Sequence, residues 1–134
     1  MPDHGPSAGQ IVAHMREAMG EIPAAIVKSL DADPTMIFEQ AHSSAFAMPP
    51  ENGALDPETR TLVYLAVALA SSNQACTLAM LNKSRKQAIP TPKLLEAFHI
   101  ARFAQATQVV GNAEPLFDFI NERGVNAEPG KDTR

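Results

Sequence analysis

Apolar side chains recur at helical spacing along almost the whole chain, and the residues that interrupt them are helix punctuation. Ile11, Val12, Met15 and Met19 form one stripe, which predicts a helix from Ser7 to Met19 stopped by Gly20. A short helix is predicted after Pro23, using Ile26, Val27 and Leu30. Three times an Asp or Thr stands before a Pro at the head of a periodic segment: Asp33-Pro34, Asp56-Pro57 and Thr91-Pro92. Such a pair supplies a capping oxygen and then a residue already fixed at helical φ, with no amide hydrogen to leave unpaired. The first predicts a helix from Pro34 to about Ala47 that turns Met36, Ile37, Phe38, Ala41 and Phe46 toward a core. Met48-Pro49-Pro50-Glu51-Asn52-Gly53 then breaks the pattern as a loop.

The middle of the chain is its most unusual stretch. Between Thr61 and Asn82 there is no Asp, Glu, Lys, Arg or His. A solvated helix needs a polar face, so a segment this poor in charge is buried or lines a contact. The helix from Pro57 to about Ala70 is polar only in its first turn and apolar all round after it, as expected of a central helix in a layered bundle. Ser71 or Ser72 is placed to cap a following helix running to about Gln87. Its last turn carries Lys83, Arg85 and Lys86, where a helix C-terminus favours cations. Cys76 falls in its first turn or just beyond. A long helix is predicted from Pro92 to Val110, stopping at Gly111, and a last one from Pro115 to Arg123, stopping at Gly124, with Leu116, Phe117, Phe119 and Ile120 available for packing. The tail from Asn126 to Arg134 reads as loose. No strand, repeat or low-complexity tract is visible, so the fold class is all-α: a helical bundle of six or seven helices in one domain over residues 1–125.

Composition narrows the classes of function. The 134 residues are 45% hydrophobic and 19% charged, with a formal charge of −4 and no Trp, which describes an ordinary, slightly acidic globular domain. No basic stripe points to nucleic acid. The longest apolar run, Leu62 to Ala70, is too short to span a bilayer. A single cysteine excludes an internal disulfide framework and a Cys-rich zinc site, so a reducing cytoplasm is the expected compartment. The start of the chain has neither the basic residues nor the apolar stretch of a signal peptide.

Several of these strings together resemble the core of the carboxymuconolactone decarboxylase and alkylhydroperoxidase-D-like superfamily. They are Leu55-Asp56-Pro57-Glu58-Thr59-Arg60, the run from Leu62 to Ala70, Ser72-Asn73-Gln74-Ala75-Cys76, and Ala88-Ile89-Pro90-Thr91-Pro92-Lys93-Leu94-Leu95-Glu96-Ala97. The resemblance covers about residues 55 to 113. It implies an all-α subunit that builds homo-trimers or homo-hexamers around pockets at helix and subunit boundaries. In the peroxidase branch of that superfamily a C-x-x-C-x-x-x-H dithiol opens the helix after the apolar one, and a glutamate follows the preceding arginine. Aligned here, the second cysteine is Cys76, the first falls on Asn73, the histidine on Met80 and the glutamate on Thr61. The resolving thiol, the imidazole and the relay carboxylate are therefore missing, and dithiol peroxidase chemistry is not expected. The decarboxylase branch works without a dithiol, but its carboxylated lactone needs cations, for which Arg60, His99 and Arg102 are the nearest candidates.

Each residue singled out carries two readings. Cys76 is either a thiol activated by the positive end of a helix or a small buried apolar residue. His99 is either a catalytic base or a core or interface histidine with one satisfied hydrogen bond. His42 and His99 have no spacing that supports a metal site, and no metal or cofactor is implied. Asn73 and Gln74 either cap a helix or direct a hydrogen bond at a ligand. The methionines read as gap-filling core residues, and Lys83, Arg85 and Lys86 as a solvated helix end with anion binding as the alternative.

Three functions follow. The first is an oligomeric member of the superfamily that binds or transforms a small molecule in a pocket walled by Tyr64, Asn73, Met80 and Arg102, with Cys76 and His99 as the candidate catalytic pair. The second is a single-cysteine thiol peroxidase using Cys76, and the third a structural oligomer without chemistry. Broad apolar coverage of the helix after Pro92 favours association of the chain with itself.

Overall fold

The computed structural model describes residues 5–125, and the tail read above as loose lies outside them. The described residues form seven helices and no strand: α1 (Ala8–Met19), α2 (Ala24–Ala32), α3 (Met36–Ala47), α4 (Pro57–Ala70), α5 (Gln74–Lys86), α6 (Thr91–Asn112) and α7 (Glu114–Val125). The all-α expectation holds.

Local chemistry sets most of the boundaries. Ser7 caps α1 in a reciprocal pair: its hydroxyl accepts from the Gln10 amide at 3.2 Å while the Gln10 side chain accepts from the Ser7 amide at 2.8 Å. Gly20 stops the helix at φ +83°, a backbone region open to glycine. Asp56 caps α4, accepting from the Thr59 amide at 2.8 Å with Pro57 as the first helical residue. The Asp56 carboxyl is held below its ordinary pKa by the Thr59 backbone and hydroxyl hydrogen bonds.

Other boundaries differ from expectation. At Asp33-Pro34 the helix waits until Met36, because the Asp33 carboxylate accepts from the amide and hydroxyl of Thr35 in a local turn. Neither Ser71 nor Ser72 caps α5. Ser71 is the C-cap of α4, Ser72 takes the left-handed conformation (φ 56°), and Asn73 is the cap. The Asn73 amide returns to the Ala68 carbonyl at 3.0 Å and closes a Schellman motif. The same motif ends α5, where Ala88 is left-handed (φ 52°) and the Ile89 amide bonds the Ser84 carbonyl at 3.0 Å. Pro90 rather than Thr91 is the N-cap of α6. α6 ends at Asn112 and the described part of α7 at Val125, each one residue past the glycine expected to stop it.

α4 packs against α5 on one side and α6 on the other, as expected of the central helix. The core lies on its α5 side, where Leu65, Ala79 and Met80 are buried together with Met19, Met48, Tyr64 and Leu94 packed around them. α1 joins this unit through α5: the Asn82 side chain donates to the Met19 carbonyl at 2.9 Å, and Lys86 Nζ donates to the Glu17 carbonyl. α3 packs on α1, with Ile37 fully buried, and α2 packs on α3. Lys93 on α6 pairs with Glu58 on α4. Among the described residues α7 meets only α6.

Many residues expected in a core are exposed in the single chain. On α3 only Ile37 is buried, while Met36 and Phe38 are exposed and Phe46 is 88% exposed. α4 leaves Val63 and Val67 uncovered, and α6 leaves Leu95, Ile100, Phe103, Val109 and Val110. These faces have nothing to pack against among the described residues.

Two substitutions test the helix ends by chemical denaturation. Ala88→Gly removes a left-handed penalty of roughly 1–2 kcal/mol against an entropy cost of up to about 1 kcal/mol, so a net gain in stability is expected. Gly20→Ala should lose stability on the order of 1–3 kcal/mol, because its Cβ would sit 2.8 Å from Asn82 Nδ2 in a strained backbone.

Candidate functional site

The site is built where the start of α5 faces the middle of α4. The Asn73 side-chain oxygen accepts from the Cys76 amide at 3.0 Å, satisfying one of the free donors at the head of α5. That contact makes Cys76 the third residue of the helix and turns its partly buried thiol toward α4. There the Tyr64 hydroxyl donates to Cys76 Sγ at 3.1 Å. Tyr64 in turn packs on the Leu65, Ala79 and Met80 cluster. The Tyr64 phenol is pushed up to about 12 by this hydrogen bond first, then by burial and by the charge Cys76 would carry. The hydrogen bond needs the phenol protonated, so its contribution to stability is complete below pH 10.0 and fades as the pH rises toward 12.

One turn along the same seam a second contact ties α4 to α5. The Thr61 hydroxyl, with its residue fully buried, bonds the Pro57 carbonyl at 3.0 Å and Gln87 Oε1 at 2.8 Å. Thr61 is the position onto which the relay glutamate of the resembled peroxidases falls. A neutral hydroxyl and an amide tie the helices together where a carboxylate would move a proton. Met80, where the imidazole would fall, is buried in the core with Leu65 and Ala79.

The six residues singled out from the sequence divide between two places. Tyr64, Asn73, Cys76 and Met80 come together at the α4–α5 seam. Asn73 resolves as a helix cap, its oxygen engaged by the backbone. His99 and Arg102 lie on α6, and no hydrogen bond joins either of them to Tyr64 or Cys76. His99 is exposed, its ring 5.6 Å from that of Phe98. Arg102 instead lines a shallow cleft of about 140 Å³ on the α6 side of α4, with Leu69, Ala70, Phe98, Ala101 and Gln105. Gln105 Nε2 closes one edge by donating to the Ala70 carbonyl at 2.7 Å. His42 is exposed on α3. Among the described residues no group of three or more His, Cys, Asp or Glu side chains is placed to hold a metal ion.

Gln87 was not among the residues read from the sequence. It is 26 positions from Thr61, and only the antiparallel course of α4 and α5 brings them together. Arg60 was noted as a candidate cation, but its setting was not: Gly53 lies against it, a Cβ there falling 3.2 Å from the guanidinium carbon.

Residues 37–118 match the model of the Carboxymuconolactone decarboxylase family, a span reaching from α3 into α7 and so wider than the strings that carried the resemblance. No curated protein matches the chain. No helix among the described residues is long and apolar enough to cross a membrane.

Tyr64 is the sole tyrosine, Cys76 the sole cysteine, and there is no tryptophan, so the contact between them can be titrated by phenol absorbance without interference. The midpoint is expected near 12 in the native protein. In Cys76→Ala it should fall back toward the ordinary tyrosine value.

Proposed function

Because the chain belongs to the carboxymuconolactone decarboxylase family, we propose that it acts as a homo-oligomer, trimer or hexamer, that binds or transforms a small molecule at the α4–α5 seam without dithiol peroxidase chemistry. The observation that carries this reading is the Tyr64 hydroxyl on Cys76 Sγ at 3.1 Å, beside a Thr61–Gln87 tie and a buried Met80 where the proton relay would otherwise stand. Disulfide chemistry within one chain needs a second thiol, and Cys76 has none. What remains is a phenol and a thiol at the edge of an apolar core. Such a pair suits recognition of a ligand that is largely apolar with one polar handle.

Exposed apolar faces support self-association. The accessible surface is 10524 Å² for 14.4 kDa, against roughly 6,800 Å² for a compact monomer of that mass. The thirteen residues outside the described set contribute at most roughly 2,000 Å² even at their upper bound. The remaining excess, roughly 1,700 Å² on one chain, is about twice the roughly 800 Å² that each partner buries in an interface of standard size. Phe103 at 73% and Val67 at 60% exposure belong to it, along with the outward side of α7.

A second reading, a single-cysteine thiol peroxidase, draws on the same contact, which places a hydroxyl proton donor on the sulfur. In that chemistry the thiolate attacks one peroxide oxygen, the other leaves as water after taking a proton, and the sulfenic acid is reduced by an external thiol.

Light scattering should give three or six times the subunit mass, and Phe103→Asp should lower it; a monodisperse native monomer overturns the oligomer. Treatment with equimolar hydrogen peroxide in the presence of dimedone separates the chemistries. No adduct on Cys76 is expected, whereas rapid adduct formation with turnover on an added thiol establishes the peroxidase. Native mass spectrometry should detect a retained small molecule that Tyr64→Phe binds less well. Absence of both ligand and adduct leaves a structural oligomer.

A further inference from the structure

The loop between α3 and α4 carries a reactive dipeptide. Of the six asparagines in the sequence, Asn52 is the one followed by glycine; the others precede Gln, Lys, Ala or Glu. An asparagine carboxamide and the amide nitrogen of the next residue are already tethered at the separation that closes a five-membered ring, so a reaction between them is intramolecular. Two things hold it back: a side chain on the following residue, and regular structure that engages the amide and fixes the backbone. Gly53 removes the first obstacle, because it has no Cβ and the widest choice of backbone angles.

The second obstacle is missing as well. Asn52 is exposed, lies outside both flanking helices and has φ 61°, in the left-handed region that asparagine tolerates. The Gly53 amide makes no backbone hydrogen bond among the described residues. Other asparagines are held. The Asn73 oxygen takes the Cys76 amide, and Asn82 donates to the Met19 carbonyl and accepts from Arg85 at 3.2 Å. Asn112 and Asn121 lie in α6 and α7, where the helical backbone is fixed by its own hydrogen bonds. Gly53 itself sits in a tight place: a Cβ added to it would lie 3.1 Å from Pro49 Cγ and 3.2 Å from Arg60 Nη1. Three residues later Asp56 caps α4, so a change in main-chain length before Gly53 is felt at the entry to the central helix.

We propose that Asn52–Gly53 is a site of spontaneous covalent modification in the folded protein. The Gly53 nitrogen gives up its proton to solvent base and forms a bond to Asn52 Cγ. The Cγ–Nδ2 bond then breaks, and Nδ2 takes up one proton and leaves as ammonia. Water opens the resulting succinimide at either carbonyl. One opening gives aspartate on the native backbone, and the other gives isoaspartate, whose main chain is longer by the side-chain methylene. Both add a negative charge, but only the isoaspartate moves Gly53 from its seat against Pro49 and Arg60.

The full chain is incubated at mildly alkaline pH, native and in urea, and Asn52 is followed by peptide mass spectrometry, with isoaspartyl methylation marking the isomer. In the native protein Asn52 is expected to convert before the other described asparagines and faster as the pH rises. Its rate should lie within about tenfold of that in urea, an opening cost of no more than about 1.4 kcal/mol. Asn52→Gln, which would need a six-membered ring, should keep its amide over the same time. The isoaspartate form should melt below the unmodified protein, whereas Asn52→Asp, with the charge on the native backbone, should not. Conversion slowed more than about tenfold by folding, another described asparagine converting first, or conversion without isoaspartate would each overturn the proposal. An isoaspartate form that melts like the unmodified protein would overturn the displacement of Gly53.

Discussion

The contact on which the rest of the molecule depends is the antiparallel packing of α4 against α5. Leu65 from one helix and Ala79 and Met80 from the other fill the middle, and a neutral hydrogen bond closes each end: Tyr64 to Cys76, and Thr61 to Gln87. Buried ion pairs would need to offset the desolvation of two charges, whereas neutral pairs fix register at far smaller cost. The charge-free window between Thr61 and Asn82 is the sequence expression of that choice. The other helices attach to this frame, α6 directly on α4, and α1 on α5 with α3 and α2 behind it.

The two ends of the seam differ chemically because the helices are short and their termini sit beside it. At one end α5 begins, so the Asn73 cap places a thiol near the positive pole of the helix and next to a phenol. At the other end α5 finishes and α4 starts, which collects Lys83, Arg60 and the amide of Gln87. Both α4 and α5 leave through a Schellman turn with a residue other than glycine in the left-handed position. Those strained turns fix where the next helix starts and therefore where Cys76 and Ile89 point.

Much of this was legible in the sequence, for reasons that can be stated residue by residue. Asp56-Pro57, Gly20 and the Ser7–Gln10 region are local signals, and the helices they bound form as expected. The absence of charge after Arg60 marked the pair that makes the core. What stayed hidden is non-local. Thr61 meets Gln87 only once two helices lie antiparallel. Gly111 and Gly124 marked the ends of α6 and of the described part of α7 to within one residue. Phe46, read as core, is exposed because apolarity records that a face is to be covered, not which surface covers it.

The claim that the α4–α5 seam is the frame of the molecule is tested most directly by native-state hydrogen exchange resolved to single amides. The account predicts that amides of residues 61–70 and 77–84 exchange slowest in the chain, and that Tyr64→Phe and Thr61→Val each speed exchange across both segments together. Exchange there as fast as in α2, or a response confined to the substituted helix, would contradict it.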